Sequence, residues 1–105
     1  MNITVDRPWG HETTWARTNS YIGRTIVIEP NQSFNLQHSE KKEETIYVLE
    51  GLLHVWDTDN VNEYKVYGTG SAFQVTPNQI HILGATDEKV KLIEVSTPQN
   101  LGAKA

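Results

Sequence analysis

The chain of 105 residues contains no cysteine, which excludes disulfide bonds, thiol catalysis and thiolate metal ligands. Basic residues are also few, with nine Lys and Arg against 13 Asp and Glu, for a net charge of −4. The densest basic group, Lys41-Lys42, is flanked by glutamates, so we expect no nucleic-acid partner. No apolar run approaches the roughly 18 residues of a membrane span. We therefore expect a cytoplasmic protein that binds neither nucleic acid nor membranes.

A helical period is missing as well, and short strand patterns take its place. β-branched and aromatic residues cluster in segments separated by Gly, Pro, Asn and Asp, which is typical of strands and turns. The predicted strands are 25–28, 34–38, 45–49, 52–56, 63–67, 71–75, 80–83 and 90–95. About eight short strands in one chain indicate an all-β sandwich or barrel. Of these, a single-domain jelly-roll (double-stranded β-helix) barrel suits eight strands in a chain of this length.

The chain is long enough for one domain only, over residues 1–105. We expect residues 1–22 to form an N-terminal arm, 23–96 the barrel and 97–105 a mobile tail. Trp9 and Trp15 are predicted to pack that arm over the barrel or over a partner subunit.

Two spaced clusters carry the residues best suited to bind a metal. His38 and Glu40 lie two residues apart, so both can project from one face of a strand end. Glu44 opens the next strand, which we expect to pair with the first in a hairpin, and His81 belongs to a second hairpin. Two imidazoles and two carboxylates suit one divalent ion of Mn, Fe, Ni or Zn, with positions left open for water or substrate.

Each of these residues also has an ordinary structural explanation. Glu40 could be a solvated turn charge, and His38 or His81 could be a core histidine with satisfied hydrogen bonds. Glu43 and Glu44 are adjacent, so strand alternation sends only one of them inward, and the spacing to the following glycine favours Glu44. The combination at these spacings favours the metal site over the separate explanations.

The same residues resemble the two motifs of the cupin superfamily. The first motif resembles His38-Ser39-Glu40 followed by Glu44 and Gly51, and the second resembles Gly70 to His81 with its Thr76-Pro77-Asn78 turn. By this resemblance His38, Glu44 and His81 match the metal ligands of the family, and Glu40 stands where a second histidine is usual. Glu40, if it leaves the metal, is the candidate for catalytic proton transfer.

Within the cupins, the opening Arg7-Pro8-Trp9-Gly10 and the stretch 26–30 resemble the small C-terminal domain of type II mannose-6-phosphate isomerases. The resemblance implies a metal that polarises an oxygen of a small carbohydrate or organic acid, as in sugar-phosphate isomerisation. A non-catalytic cupin that binds a sugar, or a small Fe(II) dioxygenase, is an alternative. Small cupins commonly pair, so a homodimer is expected.

Three further residues are candidates to line the pocket: Arg24, Gln37 and Tyr47. The guanidinium of Arg24, like that of Arg7, matches the geometry of a carboxylate or phosphate. An ordinary salt bridge is the alternative for either arginine.

Overall fold

A computed structural model describes residues 2–37, 43–57, 60–75 and 80–98. These residues form ten strands and no helix: β1 (Ile3–Arg7), β2 (Gly10–Arg17), β3 (Ile22–Ile28), β4 (Ser33–Gln37), β5 (Glu44–Glu50), β6 (Leu53–Asp57), β7 (Asn60–Tyr67), β8 (Ala72–Gln74), β9 (Ile80–Gly84) and β10 (Val90–Ser96). None of the described residues belongs to a helix that could span a membrane.

The strands form two antiparallel sheets. The larger sheet has the order β1-β2-β3-β10-β5-β8, and the smaller has the order β4-β9-β6-β7. The all-β prediction is therefore confirmed. The closed barrel is not: within the described residues the two sheets share no strand, so hydrogen bonding does not join them into one cylinder.

The prediction that two hairpins hold the metal ligands is wrong. β4 pairs with β9 in the smaller sheet, whereas β5 pairs with β10 and β8 in the larger one. β8 and β9 likewise lie in different sheets. Chain neighbours here cross from one sheet to the other, as the connections of a jelly roll do.

The core lies between the sheets because residues of one parity in each strand face the opposite sheet. Ile28, Ile46, Val48, Leu83 and Leu92 are almost completely buried in it. Each such side chain contributes about 1.5–3 kcal/mol relative to an exposed position. Trp9, Phe34, Leu36, Tyr67 and Phe73 pack against this cluster.

The segment assigned to an N-terminal arm contains β1 and β2, which extend the larger sheet outward from β3. Both of its tryptophans contact this same chain. Trp9 stacks on Phe34 with ring centroids 4.4 Å apart, and the Trp15 indole N–H donates to Thr25 Oγ1 at 3.0 Å. Of the segment assigned to a mobile tail, residues 99–105 lie outside the described residues.

Candidate metal centre and ligand pocket

The inner face of the larger sheet changes from apolar to polar along β10. Leu92 lies opposite Ile26 and Val48, and all three are buried. Two residues further along β10, Glu94 lies opposite Arg24. Two residues beyond Glu94, Ser96 lies opposite Glu44. Cross-strand partners share a face of the sheet, so polar groups collect at one end of the core.

Glu44 opens β5 at this polar end, and it is 1% exposed. Its backbone carbonyl accepts a hydrogen bond of 2.9 Å from the Val75 N–H, which fixes the strand end beside β8. Glu43 is exposed, so strand alternation sends Glu44 inward, as predicted.

His81 lies on the inner face of β9, in the opposite sheet. It lies two residues from Leu83, which is fully buried, so the two share a face of the strand. The cross-strand partners of His81 are Leu36 and Asp57. Its Nε2 is buried and has no hydrogen-bond partner among the described residues. A buried ring nitrogen without a partner costs free energy unless a ligand or metal occupies it.

The remaining predicted ligands, His38 and Glu40, lie outside the described residues. The part of the chain that the structure describes contains no group of three or more His, Asp or Glu side chains able to hold an ion. Glu44 and His81 are thus the two predicted ligands whose positions are known, one on each sheet. A buried carboxylate, together with an imidazole nitrogen that has no hydrogen-bond partner in the described part of the chain, fits a site for a divalent metal.

A pocket of about 790 Å³ opens between the sheets next to this end of the core. Leu36, the partner of His81, lines it together with Trp9 and Phe34. The charged lining residues come as two pairs: Arg7 with Glu12 at 3.2 Å, and Arg24 with Glu94 at 3.0 Å.

The Arg24–Glu94 pair is the inner of the two. Glu94 is 3% exposed and Arg24 is 22% exposed. Arg24 Nε also donates to Thr14 Oγ1 at 3.3 Å, which holds the guanidinium against the sheet. Arg24 thus lines this pocket and forms a salt bridge within it, and its role in binding a ligand stays a prediction.

Glu94 was missed by the sequence analysis, although a signal was present. Val90, Leu92 and Glu94 are spaced two residues apart, so they lie on one face of β10. Because Val90 and Leu92 are apolar, strand alternation alone puts the Glu94 carboxylate on the buried face.

The assignment of Tyr47 to the pocket is wrong. Tyr47 is 39% exposed and lies opposite Ile93 and Ala72 on the outer face of the larger sheet. Ile46 and Val48 occupy the inner face of β5, so the residue between them must point outward. For Gln37 the structure gives only its register, opposite Ile80.

The two-sheet fold with a polar cluster at one end of its core is that of the cupins, and comparison with known proteins supports this class. The sequence model of the family described as mannose-6-phosphate isomerase C-terminal matches residues 1–104. The chain therefore belongs to that family. No curated protein matches the chain.

Solved structures support the same fold. KdgF from a Halomonas species is 18% identical, with a TM-score of 0.76, over 96% of this chain and 90% of that one. An RmlC-like cupin from Shewanella frigidimarina is 19% identical, with a TM-score of 0.76, over 97% of this chain and 88% of that one. Hydroxypropylphosphonic acid epoxidase from S. wedmorenis is 20% identical, with a TM-score of 0.74, over 90% of this chain and 54% of its own length. Identities this low show a shared fold only.

Proposed function

We propose that this protein is a metal-dependent cupin that acts, in the manner of an isomerase, on a small carbohydrate or organic acid. Glu44 and His81, with His38 and Glu40, would hold one divalent ion of Mn, Fe, Ni or Zn. When bound, the ion supplies Lewis-acid polarisation of a carbonyl or enediol oxygen of the substrate.

The observation that carries this proposal is the buried Nε2 of His81. The nitrogen has no hydrogen-bond partner among the described residues. Glu44 is almost fully buried on the facing sheet, at the position where the family resemblance puts a ligand. A metal ion would satisfy the nitrogen, and a buried carboxylate is an oxygen ligand of the type that such an ion takes.

The pocket lining favours a ligand rich in hydroxyl groups. Both lining arginines are paired with carboxylates, so the lining contains both guanidinium donors and carboxylate acceptors. Such a lining can donate to and accept from hydroxyl groups, and Trp9 with Phe34 offers an apolar wall to the carbon skeleton. Arg24 would orient the ligand, held in place by Glu94 and Thr14.

In this proposal Glu40, when it leaves the ion, is the residue that transfers the proton. A carboxylate beside the ion can accept a proton from a carbon next to a polarised carbonyl. The family to which the chain belongs supports an isomerase-like reaction.

The experiment that tests the proposal is elemental analysis of protein purified without a metal-chelating tag and then dialysed against Mn, Fe, Ni and Zn in turn. We expect near-stoichiometric uptake of one ion, and an affinity at least about tenfold weaker in His81→Ala and in Glu44→Gln. His11→Ala is the matched control, because His11 lies opposite Val27 on the outer face of the sheet. No uptake by the wild-type protein, or equal uptake by His81→Ala, would contradict the proposed site.

Turnover then separates an enzyme from a protein that only binds a sugar. The metal-loaded protein is incubated in D₂O with hexose 6-phosphates, and deuterium entry at the carbon next to the carbonyl is followed by NMR. Exchange that is lost in Glu40→Gln supports proton transfer by that residue. Binding without exchange would identify a non-catalytic cupin.

A further inference from the structure

The outer face of the smaller sheet carries an aromatic cluster, which we define as His54, Trp56 and Tyr64. Ring centroids lie 5.8 Å apart for His54 and Trp56, 5.4 Å for His54 and Tyr64, and 5.5 Å for Trp56 and Tyr64. Leu53 and Val55 are buried on the inner face of β6, so His54 and Trp56 must point away from the core. The cluster therefore lies on the opposite face of this sheet from His81.

A second cavity, of about 430 Å³, lies beside this cluster. Trp56, Ile82 and Gly84 line its base, and Asn31, Gln32 and Ser33 line its side. A Cβ atom at position 84 would lie 3.1 Å from both Trp56 Cζ3 and Ser33 Cβ, which is tighter than ordinary contact. The absence of a side chain at Gly84 thus keeps the cavity open beside the Trp56 ring.

The polar side of the cavity is held by backbone hydrogen bonds. The N–H of Asn31 donates to the Thr86 carbonyl at 2.8 Å, and the Ala85 N–H donates to the Gln32 carbonyl at 3.0 Å. Asn31 has a φ of 63°, a conformation that asparagine tolerates better than most residues. The backbone of this turn is therefore fixed, and the side chains of Asn31, Gln32 and Ser33 are exposed.

The chemistry of this lining selects a class of ligand. It includes an indole ring, two carboxamides and one hydroxyl, and none of its residues is charged. Carboxamides both donate and accept hydrogen bonds, which matches hydroxyl groups, and the indole offers an apolar face to the C–H groups of a ring. A charged sugar phosphate would find no countercharge in this lining.

We propose that the cavity between Trp56 and the turn at Asn31 is a second binding site, for a neutral saccharide, on the face of the sheet opposite the metal site. The pyranose ring stacks on Trp56, and its hydroxyl groups bond to Asn31, Gln32 and Ser33. This site is independent of the proposed metal, because it shares no residue with the metal ligands.

The test follows the three indole N–H signals by NMR during titration with D-mannose, D-glucose and methyl α-D-mannoside. The Trp56 signal is assigned with Trp56→Phe. We expect a saturable shift of the Trp56 signal with at least one of these sugars, while the Trp15 signal stays in place. A shift of the Trp9 signal would report separately on the inner pocket. Measured at the Trp56 signal, mannose 6-phosphate should bind no more tightly than mannose.

Two variants test the geometry without disturbing the core. Asn31→Gly removes the carboxamide and keeps the backbone, because glycine adopts a positive φ freely. Gly84→Ala narrows the cavity against Trp56. Each should weaken binding about tenfold or more, the range set by the loss of one stacking or hydrogen-bonding partner. His11→Ala, on the larger sheet, is the control and should bind the sugars as the wild type does.

Three results would overturn the proposal: no saturable shift at Trp56, binding to Asn31→Gly and Gly84→Ala as tight as to the wild type, or a shift of the Trp9 signal in place of the Trp56 signal. The last would place the sugar at the inner pocket. Failure of metal uptake, by contrast, would leave this site unaffected, so the two proposals are tested separately.

Discussion

The buried ion pair between Arg24 and Glu94 gives a stability prediction whose size follows from the structure. Arg24→Met retains much of the side-chain volume and removes the cation from Glu94. At 3.0 Å and an effective dielectric constant of about 20, the Coulomb energy of the pair is about 5 kcal/mol. Desolvation offsets part of this energy, and removal of one partner of a buried pair costs about 3–5 kcal/mol.

The lower end of that range applies here, because Arg24 is still 22% exposed. We expect Arg24→Met to lower the free energy of unfolding by about 3 kcal/mol. In a domain of this size, 1 kcal/mol shifts the melting temperature by about 4–8 °C. The loss should therefore be obvious both in urea titration followed by tryptophan fluorescence and in thermal unfolding followed by circular dichroism.

Arg7→Met is the matched control. Arg7 forms the same type of pair with Glu12, at 3.2 Å, but its side chain is 45% exposed and that of Glu12 is 18% exposed. A solvent-exposed pair contributes about 0–1 kcal/mol. If Arg24→Met lowers the free energy of unfolding no more than Arg7→Met does, the buried inner pair stabilises the fold no more than the exposed pair. That result would refute the reasoning.

Two other predictions concern packing and assembly. Gly10→Ala should lower the free energy of unfolding by about 4 kcal/mol or more, or prevent folding, because its Cβ would overlap the Val27 carbonyl oxygen. Gly68→Ala, whose Cβ would meet only Leu52 Cδ2 at 3.7 Å, is the control in urea titration, and equal losses would contradict the contact. The homodimer stays a prediction: light scattering at several concentrations should give twice the mass of 11.9 kDa, and a constant monomer mass would contradict it.

Most strand positions could be predicted because strand signals are local. Eight of the ten strands, β3 to β10, overlap predicted strands, because composition and turn residues place them. β1 and β2 were missed. All five residues of β1 are exposed, so burial does not select their hydrophobicity. Backbone pairing with β2 keeps it in the sheet.

The same local rule could have corrected one assignment to the site. Placing Glu44 inward fixes the phase of β5, so Ile46 and Val48 also point inward and Tyr47 cannot. Glu44 and Tyr47 could therefore not both face the core, and the structure has Glu44 on the buried face and Tyr47 on the exposed one.

The sequence by itself determined the all-β class, the turns that separate the strands and the inward position of Glu44, because each depends on residues within a few positions of one another. Only the tertiary structure decided which strands pair, that the two predicted hairpins are absent, and that Arg24 meets Glu94 from 70 residues away. Pairing depends on how two sheets bury their apolar faces together, and many pairings satisfy the same alternation. The aromatic cluster and its cavity arose in the same way, from side chains of β6, β7 and β9 that no spacing along the chain brings together.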